Sequence, residues 1–590
     1  MPVASACLLL GALAVPQEAT APHWAYATPQ PSTPPPLAEH PVDAWLAQSQ
    51  RELGLVPTPR TDPATLLRRV SLDLIGLPPT EAELDHFLTD PSPAAYAAAV
   101  DRLLDSPHYG ERWASLWLDL ARYADSDGFN FDKPRSMWPY RDWVVQAFQQ
   151  DLPYDEFTRQ QLAGDLLYPG AEEPRIATGF HRNTPVNDEG GVDPDEARWE
   201  RLLDRASTTG TVWLGSTLHC ARCHDHKYDP VSQREFFGVV AFFESQDEVV
   251  LQRAADQAKT LVLQERDGAA AVTTLRLRGA YDAPGESVPA HAPAALHRWQ
   301  HDGPADRRDL AAWLTDPQHP LVARVHANRL WHALFGRGLV DTPEDFGRQC
   351  PPPRQQALLD WLAGEFARLG YRQKPLLRLL VLSAAYQRDA AASADQRDLD
   401  PQNTCFARAN RPRLDAERIR DTWLLASGLL NRRIGGPPVH PLQADTRGVV
   451  PTNKVDMRWP VSPGEERFRR GLYTYWRRTA PFVALAAFDA PSREVCQVVR
   501  QSSNTPLQAL VGLNDPTTVA AATALGERMQ QHAGSLPEQL AFGFRCCTSR
   551  WPGEAELALL LAAFAAEPAD RAFQRLALTL LNLDETLCRG

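Results

Sequence analysis

Glu111-Arg112-Trp113-Ala114-Ser115-Leu116-Trp117-Leu118-Asp119-Leu120-Ala121-Arg122-Tyr123 sets Trp113, Leu116, Trp117 and Leu120 on one stripe. A stripe with this spacing is the mark of a helix that buries one face. The same period recurs on both sides. Asp62-Pro63 opens an apolar-periodic run that stops at Gly76, Thr80-Glu81-Ala82-Glu83 reads as a capping box, and Ser92-Pro93 starts another helix. Helices are expected around Tyr140 to Gln149 and Tyr154 to Leu167, and one from Pro194 leads into Thr208-Thr209-Gly210.

Past Phe243 the pattern changes. Thr260 to Gln264 and Ala271 to Gly279 alternate Val, Leu and Thr, which predicts strands. Helical periodicity returns at Arg307 and continues through Leu321 to Phe335, Gln355 to Leu369, Pro375 to Gln387 and Asp415 to Leu430. A looser Pro/Gly stretch spans 435–465, and the chain is helical again from Thr505. The fold class is therefore mainly α: two helical domains with a small β-strand insert between them. The expected division is a signal peptide at 1–21, a helical domain at 22–250, the insert at 251–304 and a C-terminal helical domain at 305–590.

Composition narrows the function. A chain of 590 residues exceeds one hydrophobic core. With 44% hydrophobic and 23% charged residues it reads as globular, and its net charge of −12 argues against a nucleic-acid surface. The apolar run Ala4 to Val15 is too short to span a bilayer, and Ala19-Thr20-Ala21 follows it as a small-x-small cleavage pattern. Together they read as a secretory signal, without the usual basic residues ahead of it. The expected location is periplasmic or extracellular, with no membrane span after signal removal. Nine cysteines in this length do not make a disulfide scaffold.

The most informative chemistry is Cys220-Ala221-Arg222-Cys223-His224. Two thiols three residues apart followed by His is the c-type haem attachment pattern, in which the thiols bond the porphyrin and the imidazole ligates iron. Random order of this composition gives the pattern only about 0.004 times per chain, so accident is a poor explanation. Three readings compete. In the first, Cys220 and Cys223 attach haem c and His224 is the axial ligand. In the second, Cys220 and Cys223 hold zinc or another divalent metal together with His224 or His226. In the third, the cysteines form only a disulfide. A distal haem ligand is not evident; His181 and His219 are the candidates, since Met137, Met457 and Met529 sit in no recognisable ligand loop.

Two acidic loops add candidates. Asp125, Asp127 and Asp132 bracket a loop that fails the EF-hand pattern, because Phe129, Asn130 and Ser136 stand where a ligand, Gly and Glu are needed. A different cation site or a solvated Asx-turn loop remains. Asn187-Asp188-Glu189-Gly190-Gly191-Val192-Asp193 offers carboxylates for acid/base work. Glu189, Asp193 and His226 are accordingly the catalytic candidates if the chain is a hydrolase or lyase. His326 and His332 read as structural.

Longer motifs, in order, carry a resemblance. They include Leu67-Arg68-Arg69-Val70, Gly76-Leu77-Pro78-Pro79-Thr80, Tyr109-Gly110-Glu111-Arg112-Trp113, Trp138-Pro139-Tyr140-Arg141-Asp142-Trp143 and Cys220 to Pro230. Farther on stand Asn328-Arg329-Leu330-Trp331, Phe335-Gly336-Arg337-Gly338-Leu339-Val340 and Asn504-Thr505-Pro506-Leu507-Gln508-Ala509-Leu510. From His23 onward the chain resembles the secreted, planctomycete-type cytochrome-like proteins, a PSCyt-two domain followed by a PSD-one domain, whose activity is unestablished. Many relatives carry a further N-terminal cytochrome domain; here the core follows the signal-like run almost directly, so two haems in series are not expected. The resemblance implies an exported haem-binding protein with a redox role, its partner a redox protein or an extracellular carbohydrate. A metal-dependent hydrolase or lyase acting on extracellular carbohydrate, or a non-catalytic binding protein with a CxxC disulfide, is the alternative.

Overall fold

The computed structural model describes residues 23–30, 32–266, 268, 271–301, 303–443 and 459–590. The signal-like run, Met457 and part of the 435–465 stretch lie outside the described residues.

The opening stripe forms the Tyr109–Leu120 helix. Trp113 and Trp117 are each 3% exposed. Trp117 meets Phe157 edge-on at 4.8 Å and Trp213 at 6.0 Å, and its Nε1 donates to Gln161 Oε1 at 2.9 Å. A ring so placed satisfies its one polar atom, and its removal costs about 3–5 kcal/mol. Neighbouring helices begin where local chemistry dictates. Asp62 caps Pro63–Ile75, the reciprocal Thr80 and Glu83 box caps Glu81–Thr89, and Ser92 caps Pro93–Asp105. Each cap satisfies a backbone N–H that would otherwise lack an acceptor.

The molecule is mainly α, with two small hairpins between the helical parts. Strands β1 (Gln246–Gln252) and β2 (Lys259–Glu265) pair antiparallel, Val249 opposite Val262. Strands β3 (Val272–Arg276) and β4 (Pro284–Pro289) do the same, with a shift in register between Thr274 and Arg276. The run expected to continue to Gly279 leaves the strand at Arg276 and turns through Leu277–Gly279. The helix expected over 375–387 breaks at Ser383. There the Ser383 hydroxyl accepts from Tyr386 N, and the Asp43 carboxylate accepts from the Ala384 and Ala385 N–H groups at 2.8 Å.

The sequence break near residue 305 is not a break in packing. The larger core joins the N-terminal helices to the helices of 307–386 and takes in Val439, Leu472 and Tyr473; the smaller one gathers residues of 414–581 around Trp423, Phe488 and Leu580, with Leu72 and Ala124 from the N-terminal part. Arg307, fully buried, fastens the join. It donates to both Asp165 oxygens at 2.8 and 2.6 Å, to Glu265 at 2.8 and 3.0 Å, and to the Leu162 carbonyl at 2.8 Å. One guanidinium thus ties the Tyr154–Leu167 helix, β2 and the Arg307–Leu314 helix together. Among the described residues no helix is long and apolar enough to cross a membrane.

Candidate functional site

The cysteine motif sits where a long helix runs out. Pro194–Thr209 is capped by Asp193 and loosens into the wider turn Gly210–Leu214. Gly215 then takes φ +52°, with Phe346 so close that a Cβ would lie 2.8 Å from its ring. The chain re-enters as the short 3₁₀ turn Leu218–Arg222, with Leu218 and Ala221 buried and Cys220 exposed. Cys223 and His224, one step further, are exposed as well. Neither cysteine is bonded to the other.

Each flanking residue braces this turn. Arg222 lies bidentate on Glu200 at 2.5 and 3.0 Å. The Gln233 amide donates to the carbonyls of Arg222 and Arg276, and Asp225 accepts from Gln233 N at 2.8 Å. Asp229 is shared: its Oδ1 accepts from the Tyr26 hydroxyl at 3.0 Å and from Arg348 N at 2.7 Å. The loop therefore binds the N-terminal lead-in to a turn of the second half. From the other side Gly279, at φ +76°, presses on Cys223; a Cβ there would come within 2.6 Å of Sγ.

The two histidines differ in availability. His226 accepts from Asp229 N at its Nδ1 (2.8 Å) and meets the Thr217 hydroxyl at its Nε2 (3.2 Å). Both ring nitrogens are committed, which fixes a neutral ring with the proton on Nε2. Among the described residues His224 instead uses only Nδ1, against the Asp225 carbonyl at 2.6 Å. Because a carbonyl only accepts, Nδ1 is the donor there, and Nε2 is left without a partner among the described residues. A ligating histidine needs this arrangement, one nitrogen anchored to a carbonyl and the other open.

The other candidates are buried or engaged in hydrogen bonds of their own. Asp193 holds the N–H groups of Asp195 and Glu196 and accepts from the Tyr281 hydroxyl at 2.9 Å, the work of a helix cap. These bonds hold its pKa below the usual carboxylate range, the Tyr281 contact most of all. Glu189 accepts from Asn130 N at 3.1 Å. His181 is fully buried between Phe180 and Phe243, ring centroids at 4.9 and 4.7 Å, whereas the motif faces solvent. Burial, then Arg205, pushes its pKa well down. His219 is bonded to Ser207. Met137 and Met529 are fully buried. Among the described residues, no three His, Cys, Asp or Glu side chains converge to hold a metal ion.

The acidic loop at 125–132 is a staple between halves. Asp125 accepts from Tyr123 Oη (2.6 Å) and Trp476 N (2.9 Å), while Asp132 accepts from Gly128 N (2.5 Å) and from Thr479 N and Oγ1. Those oxygens are already spent on hydrogen bonds, so the cation reading gives way to a structural one. His326 is structural too. It stacks between Tyr154 at 3.9 Å and Phe366 at 5.1 Å, and burial takes its pKa down to about 3.

Two family models match in succession. Residues 41–248 match PSCyt2, described as a protein of unknown function (DUF1549). Residues 306–564 match PSD1, described in the same words (DUF1553). The chain belongs to the PSCyt2–PSD1 family. The cysteine turn lies inside the PSCyt2 match, while β2, β3 and β4 fall between the two matches. No curated protein and no solved structure matches this PSCyt2–PSD1 chain.

Proposed function

We propose that this PSCyt2–PSD1 protein is exported and carries one c-type haem with a redox role, in electron transfer or in oxidation of an extracellular substrate. The observation that carries the reading is the state of the motif. Cys220 and Cys223 are exposed, unpaired thiols, and His224 presents a free Nε2 with Nδ1 anchored to a carbonyl. The residue types suit haem c: Cys220 and Cys223 would be its attachment points and His224 would hold its iron. Bound there, the haem supplies reversible one-electron exchange. The protein's part is to hold the turn rigid, through Asp225, Gln233 and Arg222, and to orient the imidazole. A redox protein docking on the exposed face is the partner this arrangement suits.

The mononuclear-metal reading has less support, because His226 has no free nitrogen to offer and no three donor side chains converge among the described residues. The hydrolase reading shares that weakness, with His226 committed and Asp193 serving as a cap. The test is production in a host competent in cytochrome maturation. The expected result is a Soret band, one haem per chain retained through denaturation, and its loss in Cys220→Ala/Cys223→Ala. Protein from that host with stoichiometric zinc and no haem, or with neither, defeats the reading.

A further inference from the structure

A second site lies elsewhere, in a cavity of about 330 Å³ between the Tyr109–Leu120 and Val322–Phe335 helices, the start of the Ala416–Ser427 helix and the 488–502 segment. Six guanidinium groups line it, from Arg112, Arg329, Arg413, Arg418, Arg500 and Arg589, against the carboxylates of Asp119, Asp415 and Asp489. This is a concentrated positive wall in a chain whose net charge is −12.

Pairing accounts for four of the six. Arg413 is matched by Asp489 at 2.5 Å, Arg418 by Asp415 at 2.8 Å, Arg500 by Asp119 at 2.6 Å and Glu417 at 2.5 Å, and Arg589 by Asp73 at 3.2 Å. Two remain. Among the described residues Arg112 reaches only Asp415, at 3.4 Å, which Arg418 already holds. Arg329 has no carboxylate within ion-pair distance among the described residues; it donates to the carbonyls of Thr211 and Val212, and its Nε is buried without an acceptor. Burial pushes the Arg112 pKa down to about 9 and that of Arg329 in the same direction. A buried cation without a counter-charge is costly to keep, and an entering anion relieves that cost.

Leu116, Leu120, Phe488 and Val498 line the same space, with the polar side chains of His332, Gln501 and Ser502 beside them. A bare oxyanion fills little of it, since a water's share of liquid volume is about 30 Å³. We infer that this cavity binds an organic oxyanion, a carboxylate or sulfate on a body the size of a monosaccharide, with Arg329 and Arg112 on the charged end. Guanidinium forks match such groups bidentately, and the volume falls in the usual range of small-ligand sites.

Calorimetry on the full chain at low salt tests this with four probes: glucuronate, glucose 6-sulfate, glucose and inorganic sulfate. Both sugar anions are expected to bind, glucose not at all, and inorganic sulfate about tenfold more weakly than glucose 6-sulfate. Arg329→Met should weaken the sugar anions about tenfold or more. Ser502→Trp, on the exposed rim, should block them without touching the fold, and it decides the matter if Arg329→Met does not fold. Equal binding of glucose and glucuronate overturns the inference. So does free sulfate binding as tightly as glucose 6-sulfate, a folded Ser502→Trp with unchanged affinity, or no binding by either sugar anion. None of these readouts depends on haem, so this inference and the haem reading fail separately.

Discussion

His224 and His226 stand two residues apart, and the structure gives them opposite tasks that two substitutions should separate. In His226→Ala the Asp229 N–H loses its acceptor and the Thr217 hydroxyl its partner. At about 1 kcal/mol for each hydrogen bond, the loss of stability is about 2 kcal/mol. Asp229, no longer positioned, also loosens its hold on Tyr26 and Arg348. His224→Ala removes one bond from an exposed ring to its neighbour's carbonyl, and exposed groups of this kind contribute within about 0.5 kcal/mol. The assay is paired: urea unfolding for stability and the optical spectrum of haem-loaded protein for the iron. His226→Ala should unfold at lower urea with an unchanged spectrum, and His224→Ala should unfold at the wild-type midpoint with the axial-ligand signature altered. The reverse pattern, a silent His226→Ala in stability with a changed spectrum, would refute the assignment of the two rings.

Three further outcomes follow from features of the fold. Burial raises the pKa of Glu248, but Arg205, Arg182 and Arg201 overcome this and hold it at about 2, below its ordinary 4.5. Because the folded value is the lower one, its contribution is full above about pH 4.5 and fades as the pH falls toward 2. Glu248→Gln should therefore be less stable at pH 7 and show a flatter loss on acidification, read by urea midpoints across that range. Arg307→Met leaves Asp165 and Glu265 facing each other without their shared cation, a loss of about 3–5 kcal/mol in the same measurement. Gly279→Ala adds about 1 kcal/mol of left-handed backbone strain and forces Cys223 Sγ aside, so the thiol's rate with a disulfide reagent should change while that of Cys220 holds.

The helices were legible because their ends carry side-chain signals. Asp62, Thr80 and Ser92 each cap the helix that the pattern begins. β1 was not legible: its first three residues, Gln246-Asp247-Glu248, are polar, and Glu248 earns its place through arginines on other elements rather than through alternation. The break at Ser383 is equally hidden in the sequence, since the Asp43 that accepts from Ala384 N lies far back in the chain. At the candidate site, spacing alone exposed Cys220, Cys223 and His224. Spacing does not distinguish a free imidazole from a committed one, because the hydrogen bonds of His226 to Thr217 and Asp229 N leave no trace in a motif. The arginine cavity was invisible for a stronger reason: its six guanidiniums come from positions 112 to 589 and meet only in three dimensions.

The shared larger core has a consequence for how the chain can be made. The PSCyt2 module ends in sequence at 248, but the apolar faces of Trp213, Phe157 and Leu162 belong to the core that the helices of 307–386 complete. During synthesis the first 300 residues must wait, partly uncovered, until the segment ending at Gln387 has emerged. A fragment cut at the module boundary should be sticky and prone to aggregate. No cut near 410 separates the cores either, because Val439, Leu472 and Tyr473 pack into the larger one while Leu72 and Ala124 belong to the smaller one.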